Sequence, residues 1–80
     1  MKYDKSIQET SVLKLKIGGM NCGRCVSRVE QAVGNLAGIE AVSVSIIADE
    51  AVVVYNTYLT SQSDIVNSIQ RLGYSAMPIS

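Results

Sequence analysis

Apolar residues fall at every second position in Leu13, Leu15 and Ile17, with Lys14 and Lys16 between them. A period of two is that of a strand with one face in a core, so a strand is predicted over residues 12–17. From position 26 the period lengthens. Val26, Val29, Val33 and Leu36 make one stripe of a helix, and Arg24, Arg28, Glu30 and Gln31 lie off it. That helix is predicted over residues 23–36, with Gly34 or Gly38 as its C-terminal cap. The period returns to two at Val42, Val44 and Ile46, with Ser43 and Ser45 facing the other way. A second strand is therefore predicted over residues 39–47. Ala48-Asp49-Glu50 is a short connection to Ala51-Val52-Val53-Val54-Tyr55, and the two strands read as an antiparallel hairpin. Ser61, with Asp64 three positions on, resembles a capping-box helix start. The helix after it is predicted over residues 62–72, with Ile65, Ile69 and Leu72 as its stripe, Val66 beside it, and Gly73 as its stop. Residues 74–79 fit a short last strand, which Pro78 confines to a sheet edge or terminates.

The predicted order is strand, helix, strand, strand, helix, strand, so each half of the chain repeats one strand–helix–strand unit. This order gives an α+β fold, a ferredoxin-like βαββαβ sandwich in which a four-stranded antiparallel sheet carries both helices on one face. The alternating strands, each with one polar face, suit that layout. Residues 1–11 mix charges without periodicity and are expected to form a flexible tail before a domain at 12–80.

Composition narrows the class. Eighty residues with a hydrophobic fraction of 48% make one small globular domain. Its core must be aliphatic, because there is no Trp and no Phe, and the four tyrosines are Tyr3, Tyr55, Tyr58 and Tyr74. Seven Lys/Arg balance seven Asp/Glu. A neutral chain argues against nucleic acid, whose recognition rewards a basic patch, and against charge-driven attachment to a membrane. No apolar run marks a signal peptide or a membrane span, so the chain is expected to be soluble and cytoplasmic.

The candidate chemistry lies in Gly18-Gly19-Met20-Asn21-Cys22-Gly23-Arg24-Cys25, between the first strand and the first helix. Cys22 and Cys25 are the only cysteines, and there is no histidine. A thiol at a helix N-terminus meets unpaired backbone N–H groups and the positive end of the helix dipole, both of which favour a thiolate. Three readings compete. Buried structural cysteines fit poorly with the flanking Gly23 and Arg24. A dithiol redox site has this spacing, but no aromatic residue precedes Cys22 and no proline-bearing strand precedes the last helix. The third reading is a metal site. A closed zinc site needs four ligands, which this chain lacks without carboxylates or a second molecule. Two thiolates suffice for a soft ion that accepts two-coordinate geometry, and Cu(I) is the physiological candidate. Arg24 and Arg28 would offset the negative charge of such a site. Their simpler reading is a solvated face.

Gly19-Met20-Asn21-Cys22-Gly23-Arg24-Cys25 resembles the Gly-Met-x-Cys-x-x-Cys motif of heavy-metal-associated domains. These domains occur as copper chaperones and as the N-terminal metal-binding domains of metal-transporting P-type ATPases. Gly38-Ile39-Glu40-Ala41-Val42 is similar to the family's start of the second strand, Ala51-Val52-Val53-Val54-Tyr55 to its third strand, and Leu72-Gly73-Tyr74 to the end of its second helix. The resemblance covers about residues 12–79.

What the resemblance implies is specific. Cys22 and Cys25 would ligate the metal. Met20 would pack beneath the loop without ligating, and Tyr74 would pack beside the site. Asn21 and Gly23 would complete the loop, and Arg24 and Arg28 would tune charge and help to dock a partner. Family members handling zinc or cadmium often carry aspartate before the first cysteine. Asn21 stands there in this chain, which favours Cu(I), with Ag(I) as its mimic and Hg(II) open. The domain itself is expected to be no enzyme, although a parent ATPase would be one. The expected partner is a copper chaperone or copper ATPase domain of the same fold, docked transiently through the metal, with no nucleic acid. The domain is expected to be a monomer when metal-free, with a metal-bridged dimer as a further form. The residues ahead of the first strand favour an ATPase domain on the cytoplasmic face of a membrane. The end of the chain after the fourth strand suits the alternative, a free-standing chaperone.

Overall fold

Leu13, Leu15 and Ile17 are buried while Lys14 and Lys16 between them are exposed, so the alternation of the first strand does set its two faces. The computed structural model describes residues 10–20 and 23–79. Six elements follow in the expected order: β1 (Thr10–Gly18), α1 (Gly23–Gly34), β2 (Ile39–Ser45), β3 (Glu50–Asn56), α2 (Gln62–Gln70) and β4 (Ser75–Pro78). The four strands form one antiparallel sheet in the order β2-β3-β1-β4. Leu13, Leu15, Ile17, Ala51, Val53, Tyr55 and Ala76 of the strands share one core with Val29 and Val33 of α1 and Ile65 and Ile69 of α2. Both helices therefore lie on the same face of the sheet, as the ferredoxin-like reading requires.

Element ends depart from the periodicity in informative ways. β1 begins at Thr10, two residues before the predicted strand, because Thr10 and Ser11 pair with Asn56 and Tyr55 of β3. The rest of the expected tail, residues 1–9, lies outside the described residues. α1 ends at Gly34, short of Leu36. Leu36 still packs against the core, but from a turn in which its N–H donates to Val33 O. Gly38, at φ 87°, makes the reversal into β2. Pairing of β2 ends at Ser45, so Ile46 is no strand residue and is partly exposed. The turn after it is fastened by Ala48 N–H donating to Ser45 Oγ. Glu50, expected in the connection, belongs to β3. Asp49 takes the left-handed conformation at φ 55°, which aspartate tolerates better than most residues.

α2 starts as the capping pattern predicts: Asp64 N–H donates to Ser61 Oγ at 3.3 Å. It ends at Gln70, two residues before the predicted limit, and Gly73 at φ 96° completes the exit. The last strand is shorter than predicted, and β4 sits at the sheet edge, the place to which Pro78 confines it.

The register fixes what lies at each end of the sheet. Lys16 is opposite Glu50, and Gly18 is opposite Ser75. β3 and β4 thus begin where β1 ends. The β1–α1 loop, the β2–β3 turn and the α2–β4 junction gather at that one end.

Candidate metal centre

The loop between β1 and α1 is fastened on both sides. Three consecutive residues hold its start. Gly18 N–H donates to Ser75 Oγ at 3.1 Å. Gly19, at φ 101°, has Tyr74 in the space that a side chain would take. Met20 is buried, 6% exposed, and joins the core cluster. Its burial is what a packing residue beneath the loop would show. On the far side α1 begins at Gly23. A Cβ at Gly23 would meet nothing within 4 Å, so this glycine is not demanded by space. Asn21 and Cys22, both assigned to the site by sequence, lie between these two anchors and outside the described residues.

Cys25 stands on the first turn of α1, half-buried and packed against the core. Its helical neighbour Val26 does the same. The first turn of α1 carries no acidic residue to cancel the positive end of the helix dipole. Arg24 and Arg28 are exposed and four positions apart, so they share one side of α1.

Tyr74 connects these groups. It is half-buried at the α2–β4 junction, and its hydroxyl is within hydrogen-bonding reach of Cys25 and Arg28. The hydrogen bond with Cys25 pushes the Tyr74 phenol above its ordinary value, and partial desolvation and the Cys25 charge act in the same sense. The Arg28 guanidinium acts in the opposite sense, by hydrogen bond and by charge, and is outweighed. Arg28, itself exposed, is thus near enough to the phenol to act on it. Sequence alone placed Tyr74 beside the site and Arg28 near it, but not the link between them. Ser75 and Gly18 carried no sequence signal of a contact, because the residues that meet come from opposite ends of the domain.

Of the two sulfurs that the sequence assigns to a metal, Cys25 lies among the described residues. Among the described residues no group of three or more His, Cys, Asp or Glu side chains is placed to hold a metal. A donor set of two sulfurs fits a two-coordinate ion. Among the described residues, too, no helix is long and apolar enough to cross a membrane.

Comparison with known proteins gives a consistent picture. The model of the heavy-metal-associated domain matches residues 14–75. The human protein "Copper-transporting ATPase 2" is 37% identical over 68 residues, which is 85% of this chain but 5% of that protein. The chain thus spans about one-twentieth of the length of such relatives. "Copper chaperone CopZ" of Enterococcus hirae is 35% identical over 63 residues, covering 79% of this chain and 91% of the chaperone. Among solved structures, a copper binding domain from HMA7, a P-type ATPase, superposes with a TM-score of 0.84 at 29% identity, over 86% of this chain and 93% of that domain.

Proposed function

The chain belongs to the heavy-metal-associated domain family, and on that premise we propose that it is a Cu(I)-binding unit of intracellular copper traffic. It takes Cu(I) between the thiolates of Cys22 and Cys25 and passes the ion on by ligand exchange. The domain at residues 12–80 carries this function, with the pairing of β1 extending it back to Thr10. The observation that carries the reading is the setting of Cys25. Its sulfur sits on the first turn of α1, at a dipole end left uncompensated by acidic residues, beside Tyr74 and Arg28. Such a place favours the negative charge of a bis-thiolate copper centre. The names of the relatives support copper as the cargo.

Exchange proceeds by addition of a partner's thiolate to the bound ion. Cys25 is held by the hydrogen bonds of α1, whereas Cys22 precedes the helix. Cys22 is thus the sulfur that follows the metal toward the partner, and Cys25 is the one that lets go. The partner is a chaperone or ATPase domain of the same fold, and Arg24 and Arg28 present positive charge to it.

The domain belongs to a copper-transporting P-type ATPase, at its cytoplasmic face. The free-standing chaperone is the second reading, favoured by the 91% of CopZ that the chain covers. The domain alone catalyses nothing; any ATP chemistry belongs to a parent protein. The test is anaerobic titration of reduced protein with Cu(I) against a competing chelator. One ion per chain should bind, and Cys25→Ser should abolish competition with the chelator. Unchanged binding in that variant overturns the assignment. Turnover in disulfide reduction without metal would favour a redox protein instead.

A further inference from the structure

We propose that Ser75 is a positioning residue of the metal loop, acting through Gly18. This inference rests on the reading of the loop as a Cu(I) site. Gly18 and Gly19 lack side chains of their own, so their backbone is free to take many conformations unless something outside them fixes it. The two residues that begin β4's side of the junction supply that constraint. Ser75 Oγ accepts the Gly18 N–H at 3.1 Å. Tyr74 stands beside Gly19, where a Cβ would come within 3.2 Å of Tyr74 Cδ1. Adjacent residues thus grip adjacent glycines.

The grip at Gly18 needs glycine there. A Cβ at Gly18 would lie 2.5 Å from Ser75 Oγ. The serine hydroxyl occupies the space that a side chain would take, and it satisfies the last strand N–H of β1. Ser75 itself is exposed and belongs to no part of the core. Its contribution is therefore local: it ties the start of the loop to the segment that also carries Tyr74. Met20, two residues after Gly18, is buried, so the fastened start is continuous with the core. Releasing the Gly18 anchor loosens the described start of the loop, Gly18 to Met20, from which the chain runs on to its cysteines.

The test compares wild type, Ser75→Ala, Ser75→Thr, Gly18→Ala and the Gly18→Ala/Ser75→Ala double variant. In metal-free protein, amide hydrogen exchange at Gly18 should rise ~5-fold in Ser75→Ala, as expected for loss of one ordinary hydrogen bond, with the urea unfolding midpoint lowered by no more than that one bond accounts for and the slope unchanged. Release of Cu(I) to an excess of bathocuproine disulfonate should quicken by a similar factor. Ser75→Thr, which keeps the hydroxyl, should restore both. Gly18→Ala should reproduce Ser75→Ala, and the double variant should be no faster than either single one, because both remove the same contact. Unchanged Gly18 exchange in Ser75→Ala, a threonine variant that behaves like alanine, or additive effects in the double variant overturn the proposal. If wild type binds no Cu(I), the copper reading fails, and Gly18 exchange in metal-free protein still decides whether Ser75 fastens the loop.

Discussion

Tyr74 bounds the space beside Gly19: a Cβ built on Gly19 would stand 3.2 Å from Tyr74 Cδ1 and 3.9 Å from Tyr74 Cα. The backbone of Gly19 is in the left-handed region at φ 101°, where side chains are strained whatever the space. Both facts act at the same residue, which immediately precedes the buried Met20.

Gly19→Ala is therefore expected to cost about 1–3 kcal/mol, from positive-φ strain and displacement of the Tyr74 ring together. In urea unfolding the midpoint should fall with the slope unchanged. Gly23→Ala, at a site with open space and no positive φ, should leave the midpoint near wild type. Equal losses in the two variants would refute that reading of Gly19.

The Tyr74–Cys25 hydrogen bond has a signature in pH. In metal-free protein the Tyr74 phenol should titrate above 10.0, mainly because of Cys25. A raised folded value means that the folded chain holds the proton more tightly than the unfolded chain does. The associated stability is complete below 10.0 and is lost as pH rises through the higher folded value. The ultraviolet difference between wild type and Tyr74→Phe, followed with pH, isolates this tyrosine from the others. Its midpoint should move down toward 10.0 in Cys25→Ser. No movement would mean that Cys25 is not the cause.

Met20 separates packing from ligation. Its side chain is 6% exposed and lies in the core cluster. Met20→Leu conserves volume and should cost less than about 1.5 kcal/mol, with Cu(I) affinity kept. Met20→Ala should cost about 2–4 kcal/mol through the cavity it leaves. Loss of copper affinity in the leucine variant, with the fold intact, would make the thioether a ligand.

Periodicity made the framework legible because burial repeats with the element. Leu13, Leu15 and Ile17 announced β1, and Val29, Val33, Ile65 and Ile69 announced the inner stripes of the helices. The same rule misplaced the ends. Leu36 keeps the helical period and still packs on the core, yet the helix stops at Gly34. Ile46 continues the strand alternation, yet pairing stops at Ser45. Apolar pattern reports what is buried, whereas an element ends where its hydrogen bonds end. Sequence proximity proposed the candidate site from Gly18 to Cys25, of which Gly18, Gly19, Met20, Gly23, Arg24 and Cys25 lie among the described residues. The reach of Arg28 to Tyr74, and of Ser75 to Gly18, depends on how α1 and β4 meet in space. No local pattern encodes that meeting; the resemblance pointed to Tyr74 and to Arg28 separately, not to their proximity.

The central claim is a copper ion held by two sulfurs of one chain, and X-ray absorption at the copper edge of the monomeric Cu(I)-loaded protein tests it most directly. The inner shell should hold two sulfur scatterers, and Cys22→Ser and Cys25→Ser should each lose that two-sulfur shell. A shell containing nitrogen or oxygen donors, or a third sulfur from Met20 in the monomer, would contradict it.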